Sequence, residues 1–367
     1  MSTDPLTTES PTADSLTAGV SGASGPGARS YPWVPGSATG VGSMPGADPE
    51  QACTVIMGEL PDFPFLPELP GRGVGADMIG RTAALLVDLP VETTAGGWKL
   101  AMRPGRDQRR AASFLAFDLD AAQQAADGYS GTYKISVCGP LTLAAGIELS
   151  RSLNPALADP GALADLTNSL AEGLAEHVRA LRERIPGATI VVQLDEPSLP
   201  AVLAGHVPTA SALNMVRALD ETAARAAIGP VLAATTAPTV VHCCAPDYPF
   251  LLVKDAGAGA VSFDLAAIGR DRLDALAEVA DAGLGLLVGA LPTDRGPDHR
   301  PRSPKETADA VVTWWRRMTL DPRWLAEQVV ITPACGLAGA SPQAARTALA
   351  HCREAARIAP ELIEEAG

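Results

Sequence analysis

The chain has 367 residues, with 28 Lys and Arg against 42 Asp and Glu, a formal net charge of −14 and a pI near 4.8. That balance argues against a nucleic-acid or anionic-membrane binder, which needs a basic face to neutralise phosphates. Apolar residues at 47%, aromatics at only 4%, and 35 Gly with 32 Pro suit a globular enzyme whose core is filled by Ala, Leu and Val.

Residues 1–30 are Ser, Thr, Gly, Ala and Pro with scattered charge and no periodicity, a composition that cannot bury enough apolar surface to offset chain entropy. They read as a disordered leader, and residues 31–360 as one catalytic domain. From Tyr31 onward, short apolar or β-branched runs alternate with helical patterns. The strands expected are 38–43, 63–66, 98–102, 133–138, 189–194, 239–243, 259–264, 285–289 and 329–333. The clearest helix starts from Asp159 as N-cap and Pro160, then repeats Leu163, Leu166, Leu170, Leu174, Val178, Leu181 and Ile185 at steps of three and four. Strand–helix alternation implies a parallel sheet, and eight or nine strands in this length suit an α/β fold of the (β/α)8 TIM-barrel type better than an open doubly wound sheet.

Six cysteines at irregular spacing are too few for a disulfide scaffold. No apolar run approaches the roughly 18 residues of a membrane span, and the N-terminus shows no basic-then-apolar signal. These features point to a reducing cytoplasm. The polar residues that stand out sit just after strands: Ser43, Glu68, Gln193-Leu194-Asp195-Glu196, His242-Cys243-Cys244, Asp264 and Cys335. In a barrel those ends converge on the face where active sites are built.

Alternation along the strand puts His242 and Cys244 on one side and Cys243 on the other. His242 and Cys244 can offer an imidazole nitrogen and a thiolate to one metal ion, and Cys335 can supply a third ligand, a zinc set with an open position. The plainer alternative is that these cysteines are small buried hydrophobes, as Cys53, Cys138 and Cys352 are expected to be. Gln193-Leu194-Asp195-Glu196-Pro197 closes an apolar strand, where a buried carboxylate needs a partner; a cationic group of a ligand would serve, and Asp195 as a helix N-cap is the alternative. The glycines of Gly40-Val41-Gly42-Ser43 let backbone approach a ligand carboxylate, although many tight turns look the same. Gly71-Arg72-Gly73-Val74-Gly75 follows a Pro-rich stretch rather than a strand and is discounted as a dinucleotide loop. His177, His206 and His351 have no cluster around them and read as solvent-facing.

Gly42-Ser43-Met44-Pro45, Gln193-Leu194-Asp195-Glu196-Pro197, Val241-His242-Cys243-Cys244 and Pro333-Ala334-Cys335-Gly336-Leu337, in that order, resemble the C-terminal catalytic barrel of cobalamin-independent methionine synthase, over about residues 38–355. The resemblance implies zinc-dependent transfer of a methyl group to the thiol of homocysteine, giving methionine. It assigns zinc to His242, Cys244 and Cys335, with Asp264 where the family has a Glu, one methylene longer. It assigns the amino-acid pocket to Gly42, Ser43, Glu68 and Asp195. His299, in Pro297-Asp298-His299-Arg300-Pro301, is the histidine near where the family keeps its catalytic acid, and a solvent-exposed loop histidine is the alternative there.

Two departures touch the methyl donor. The family packs a Trp on the pterin a few residues after Gly-Pro-x-Thr, where this chain continues Gly139-Pro140-Leu141-Thr142 with Leu143-Ala144-Ala145-Gly146. It also has an acidic residue beyond Gln-x-Asp-Glu-Pro, where this chain has Ser198-Leu199-Pro200. The donor expected is therefore methyltetrahydrofolate or a methylated corrinoid or corrinoid protein. The rival functions are a corrinoid-dependent thiol methyltransferase of the related uroporphyrinogen-decarboxylase-like group and a non-catalytic zinc or amino-acid binding barrel.

Overall fold

Parallel strands made of continuous apolar runs need cover on both faces, and β3 (Thr132–Cys138), β5 (Thr189–Asp195), β6 (Thr239–Cys243), β7 (Ala260–Asp264), β8 (Gly285–Leu291) and β9 (Val329–Pro333) have it. The computed structural model describes residues 30–293 and 302–365. In it these strands form one six-stranded sheet, ordered as just given, with every pairing parallel.

Two further segments close the ring. Ala38 bridges Ile331 of β9, Ser43 bridges Glu68, and Phe65 bridges Lys134 of β3, all parallel. Thr39 N–H donates to Ile331 O at 3.2 Å, Met44 N–H to Glu68 O at 2.8 Å and Leu66 N–H to Lys134 O at 2.8 Å. Segments 38–44 and 63–68 thus raise the count from six parallel strands to eight and join β9 back to β3. The fold is a (β/α)8 barrel. The expected strand at 98–102 belongs elsewhere: β2 (Gly97–Leu100) pairs antiparallel with β1 (Val91–Thr94) and parallel with the short β4 (Ile147–Glu148), a small sheet apart from the barrel.

The helix over Pro160–Arg184 starts as its sequence requires, with the Asp159 carboxylate accepting from Gly161 and Ala162 N–H. His177 on this helix is buried, not solvent-facing, and burial pushes its pKa down to about 3, which keeps the imidazole neutral. Cys53, Cys138 and Cys352 are buried in the main core, as expected of packing residues.

The barrel interior is layered. Trp33, Phe63, Val191, Val240, Ala260, Leu287 and Val330 form a separate apolar cluster. Trp33 stacks on Phe63 at 5.7 Å and on Tyr31 at 5.5 Å. A side chain at Gly285 would overlap the Trp33 ring, so this position admits only glycine while Trp33 fills the barrel. Toward the C-terminal ends of the strands the inward positions turn polar: Lys134, Ser136, Gln193, Asp195, His242 and Ser262.

Candidate functional site

The parallel register sets Asp195 of β5, His242 of β6 and Ser262 of β7 side by side. All three are buried, and His242 Nδ1 lies 2.9 Å from Ser262 Oγ. This partner fixes the imidazole through Nδ1 and leaves Nε2 for another contact. Burial, helped by the Lys134 charge, pushes the His242 pKa down to about 3, so the ring is neutral near pH 7, the form that can ligate a metal.

Cys243 faces the helix layer, fully buried in the main core, and burial pushes its thiol up to about 12. Cys244, one residue on, reaches Cys335 beyond β9, with the two sulfurs 3.6 Å apart. The hydrogen bond between the two sulfurs favours a thiolate at Cys335 and opposes one at Cys244. Two thiolates about 2.3 Å from one tetrahedral zinc would stand about 3.8 Å apart, and the observed pair is close to that spacing. No group of three or more His, Cys, Asp or Glu side chains is gathered around one point among the described residues. The donor chemistry and the sulfur pair fit zinc, while His242 and Asp264 stand outside a closed ligand cage.

Asp264 ends β7, half-buried, and its carboxylate accepts from Ala266 N–H at 2.9 Å. Burial raises its pKa, and it acts electrostatically on Cys335. A cavity of about 490 Å³ opens beside it, lined in part by Gly289, Pro292, Arg302 and Trp314. His299 lies outside the described residues.

The Gly-Ser turn and Glu68 are held to each other by backbone: Met44 N–H donates to Glu68 O, and Glu68 N–H to Gly42 O at 3.0 Å. The Glu68 side chain is buried, and its Oε1 has no hydrogen-bond partner. The nearest cation, Arg81 Nε, is 4.0 Å away, and Arg81 is engaged with Asp118, which also takes Arg72. Burial raises the pKa of Glu68, opposed by Arg81 and Lys134. Asp195 is driven well up by burial and by Glu68, opposed by Lys134 and by the hydrogen bond from Gln193.

The segment carrying Cys335 packs directly on the Gly-Ser turn. Leu337 N–H donates to Ser43 O at 2.8 Å, and a side chain at Gly336 would overlap the Ser43 hydroxyl. The sulfur pair and the Gly42-Ser43-Glu68 corner are therefore neighbours.

Asp195 caps no helix; the carboxylate that does is the next residue, Glu196. Fully buried, it accepts from Leu141 N–H at 2.9 Å, Thr142 N–H at 2.8 Å and Thr142 Oγ1 at 2.6 Å, at the start of the helix Pro140–Gly146. Burial nevertheless lifts its pKa to about 7. Three residues of the site had no assigned role in the sequence: Lys134, Ser136 and Ser262. Each alternates with apolar neighbours in a strand, and the same pattern would put it on a solvated face in an open sheet.

Among the described residues no helix is long and apolar enough to cross a membrane. Residues 152–358 match the family described as cobalamin-independent synthase, catalytic domain, more than half of the chain. That stretch includes Asp195, His242, Cys244, Asp264 and Cys335, while Gly42, Ser43 and Glu68 precede it. No curated protein matches. Among solved structures, the chain is similar to a B12-independent methionine synthase from Shewanella sp. W3-18-1 in complex with selenomethionine, at 15% identity and TM-score 0.48, covering 67% of each chain. It is also similar to the flavin-binding domain of baker's yeast flavocytochrome b2, at 12% identity and TM-score 0.28, covering 67% of this chain and 52% of that one.

Proposed function

The chain belongs to the cobalamin-independent synthase catalytic-domain family, and from that premise we propose that it transfers a methyl group to the thiol of homocysteine to form methionine. The observation that carries this reading is the packing of the Cys335-Gly336-Leu337 segment on the Gly42-Ser43 turn, which brings the Cys244–Cys335 sulfur pair next to the polar corner of Ser43 and Glu68. Glu68 adds to it, with a buried oxygen that accepts no hydrogen bond and has only Arg81 at 4.0 Å, as a group reserved for a ligand would be.

In this reading Cys244 and Cys335 would hold zinc, with His242 and Asp264 as the further ligands once they close on it. Zinc, when bound, supplies the positive charge that keeps a thiol ionised at neutral pH. The chain's own residues do the rest. Ser262 orients His242, and burial keeps the imidazole neutral. The Gly42-Ser43 turn receives the carboxylate of the amino acid, and Glu68 with Asp195 receives its ammonium. The homocysteine thiolate then attacks the donor methyl carbon in line: the new S–C bond forms as the bond from methyl to donor breaks, and the electron pair leaves with the donor. Leu143-Ala144-Ala145 offers no ring to stack on a pterin, which favours a donor other than the polyglutamyl folate used by the family.

Thiol binding tests the reading. Removing one carboxylate of a buried pair that faces an ammonium costs roughly 2–5 kcal/mol. Glu68→Gln and Asp195→Asn should weaken homocysteine accordingly, leave zinc content unchanged, and barely affect a simple thiol without an amino group. Equal binding of homocysteine to wild type and both variants would show that the substrate is another thiol. Supplying the wild type with methyltetrahydrofolates or with methylcobalamin identifies the donor in the same assay.

A further inference from the structure

The least expected group in the barrel is Lys134. It is fully buried on β3, and Nζ donates to Val41 O at 2.7 Å, Gln193 Oε1 at 2.8 Å and Ser136 Oγ at 3.3 Å, with the Phe65 ring 5.5 Å away. Its three N–H groups are thus all spent on neutral acceptors, and no carboxylate touches it. A buried ammonium without an ion-pair partner is costly, and an apolar side chain of the same length would fill the volume without that cost.

What Lys134 does is visible in its neighbour. An ammonium only donates, so Gln193 must turn Oε1 toward it, which leaves Gln193 only its amide N–H groups for the other side. Gln193 Nε2 donates to Asp195 Oδ1 at 2.7 Å and to Val41 O at 2.8 Å. Were the amide reversed, two oxygens would face each other at Asp195. The polarity of the chain Lys134, Gln193, Asp195 is therefore dictated from its cationic end. The same positive charge acts on both Asp195 and Glu68 and opposes part of their mutual repulsion.

We propose that Lys134 is a positioning residue that sets the amino-acid selectivity of the pocket: through Gln193 it orients Asp195, and its charge lets Asp195 and Glu68 face one ammonium together. The inference rests on the reading of Glu68 and Asp195 as the ammonium site. It predicts that Lys134 matters for the amino group of the substrate and hardly at all for its sulfur.

The experiment compares homocysteine with 4-mercaptobutyrate, which keeps the thiol, chain and carboxylate and lacks the amino group. Lys134→Met, which preserves length and removes charge, should weaken homocysteine by about tenfold or more, the scale of a lost charge-assisted hydrogen bond. It should change 4-mercaptobutyrate by less than about twofold and leave zinc content as in the wild type. In an Asp195→Asn background the same substitution should add less than about twofold, because its route of action is already cut. Equal loss for both thiols, or full multiplication of the two effects, would overturn the proposal. Should Lys134→Met not fold, Gln193→Met interrupts the same chain with the ammonium in place, and it must show the same selective loss of homocysteine. A wild type that binds both thiols alike removes the amino-acid pocket itself; a wild type that prefers homocysteine, with Lys134→Met keeping that preference, removes only the role of Lys134.

Discussion

Cys243 and Cys244 are adjacent in sequence and should respond oppositely to the same substitution. Cys243 is fully buried between sheet and helices, with the backbone N–H of Ala245 beside its sulfur. In Cys243→Ser a hydroxyl replaces a thiol in an apolar layer; burial penalises it by about 1–3 kcal/mol, and the Ala245 N–H offsets part, leaving about 1–2 kcal/mol. With an unfolding entropy near 2.1 cal/mol/K per residue, a domain of this size should lose only about 1–3 °C in Tm. Its zinc content should equal that of the wild type. Cys335→Ser, at an exposed position, should cost stability within about 0.5 kcal/mol, and Cys244→Ser little more. Both should lose the metal, because each removes one sulfur of the 3.6 Å pair. Elemental analysis after dialysis, beside a thermal melt for each variant, reads both quantities. Equal zinc loss in all three variants would mean that the strand phase does not separate Cys243 from the metal, and the proposed ligand set would fall with it.

Glu196 should leave a signature in the pH dependence of stability. Burial raises its folded pKa to about 7, so the folded state holds that proton more tightly than the unfolded chain does. Its contribution is then fully present below the unfolded carboxyl range, near 4.3, and is lost as pH rises through about 7. Denaturant melts across that window should show this falling component in the wild type and lack it in Glu196→Gln; identical slopes would contradict it. Glu196→Gln should also be less stable at pH 5, since an amide N–H would face the donors of Leu141 or Thr142 where the acid accepts from them. Gly336→Ala should push the Ser43 hydroxyl aside and raise the KM for homocysteine several-fold while kcat changes little, because it disturbs ground-state binding at the Gly-Ser turn. A normal KM would take Ser43 out of the pocket.

The barrel was legible because its strands are apolar runs that end in polar residues, and alternation along 239–244 correctly separated Cys243 from His242 and Cys244. The run at 98–102 looked equally strand-like and is one in part, but nothing local says that Trp98 pairs with Thr93 and Ile147 rather than with a barrel strand. Pairing partners are a property of the whole chain. His177, expected to face solvent, is buried because it stands four residues from Gly173 and Leu181, and both are buried. The helix buries a broad face that takes in all three.

Lys134 marks the limit of pattern reading more sharply. In Tyr133-Lys134-Ile135-Ser136-Val137 the alternation is regular, and an ordinary rule sends Lys134 and Ser136 to water. A closed barrel reverses this for its upper layer, since the inward side chains there are enclosed by the other strands, and Lys134 and Ser136 both bond to Val41 O. Below, Val191, Val240, Leu287 and Val330 stack against Trp33 and Phe63 and supply the apolar burial that lets the strands close. Above, Lys134, Glu68 and Asp195 are charged or titratable groups withdrawn from water, each a cost to the folded chain that apolar residues would avoid. On the proposed reading this costly layer is explained by the amino acid it would bind, and the Glu68 oxygen without a hydrogen-bond partner is where the ammonium would fit.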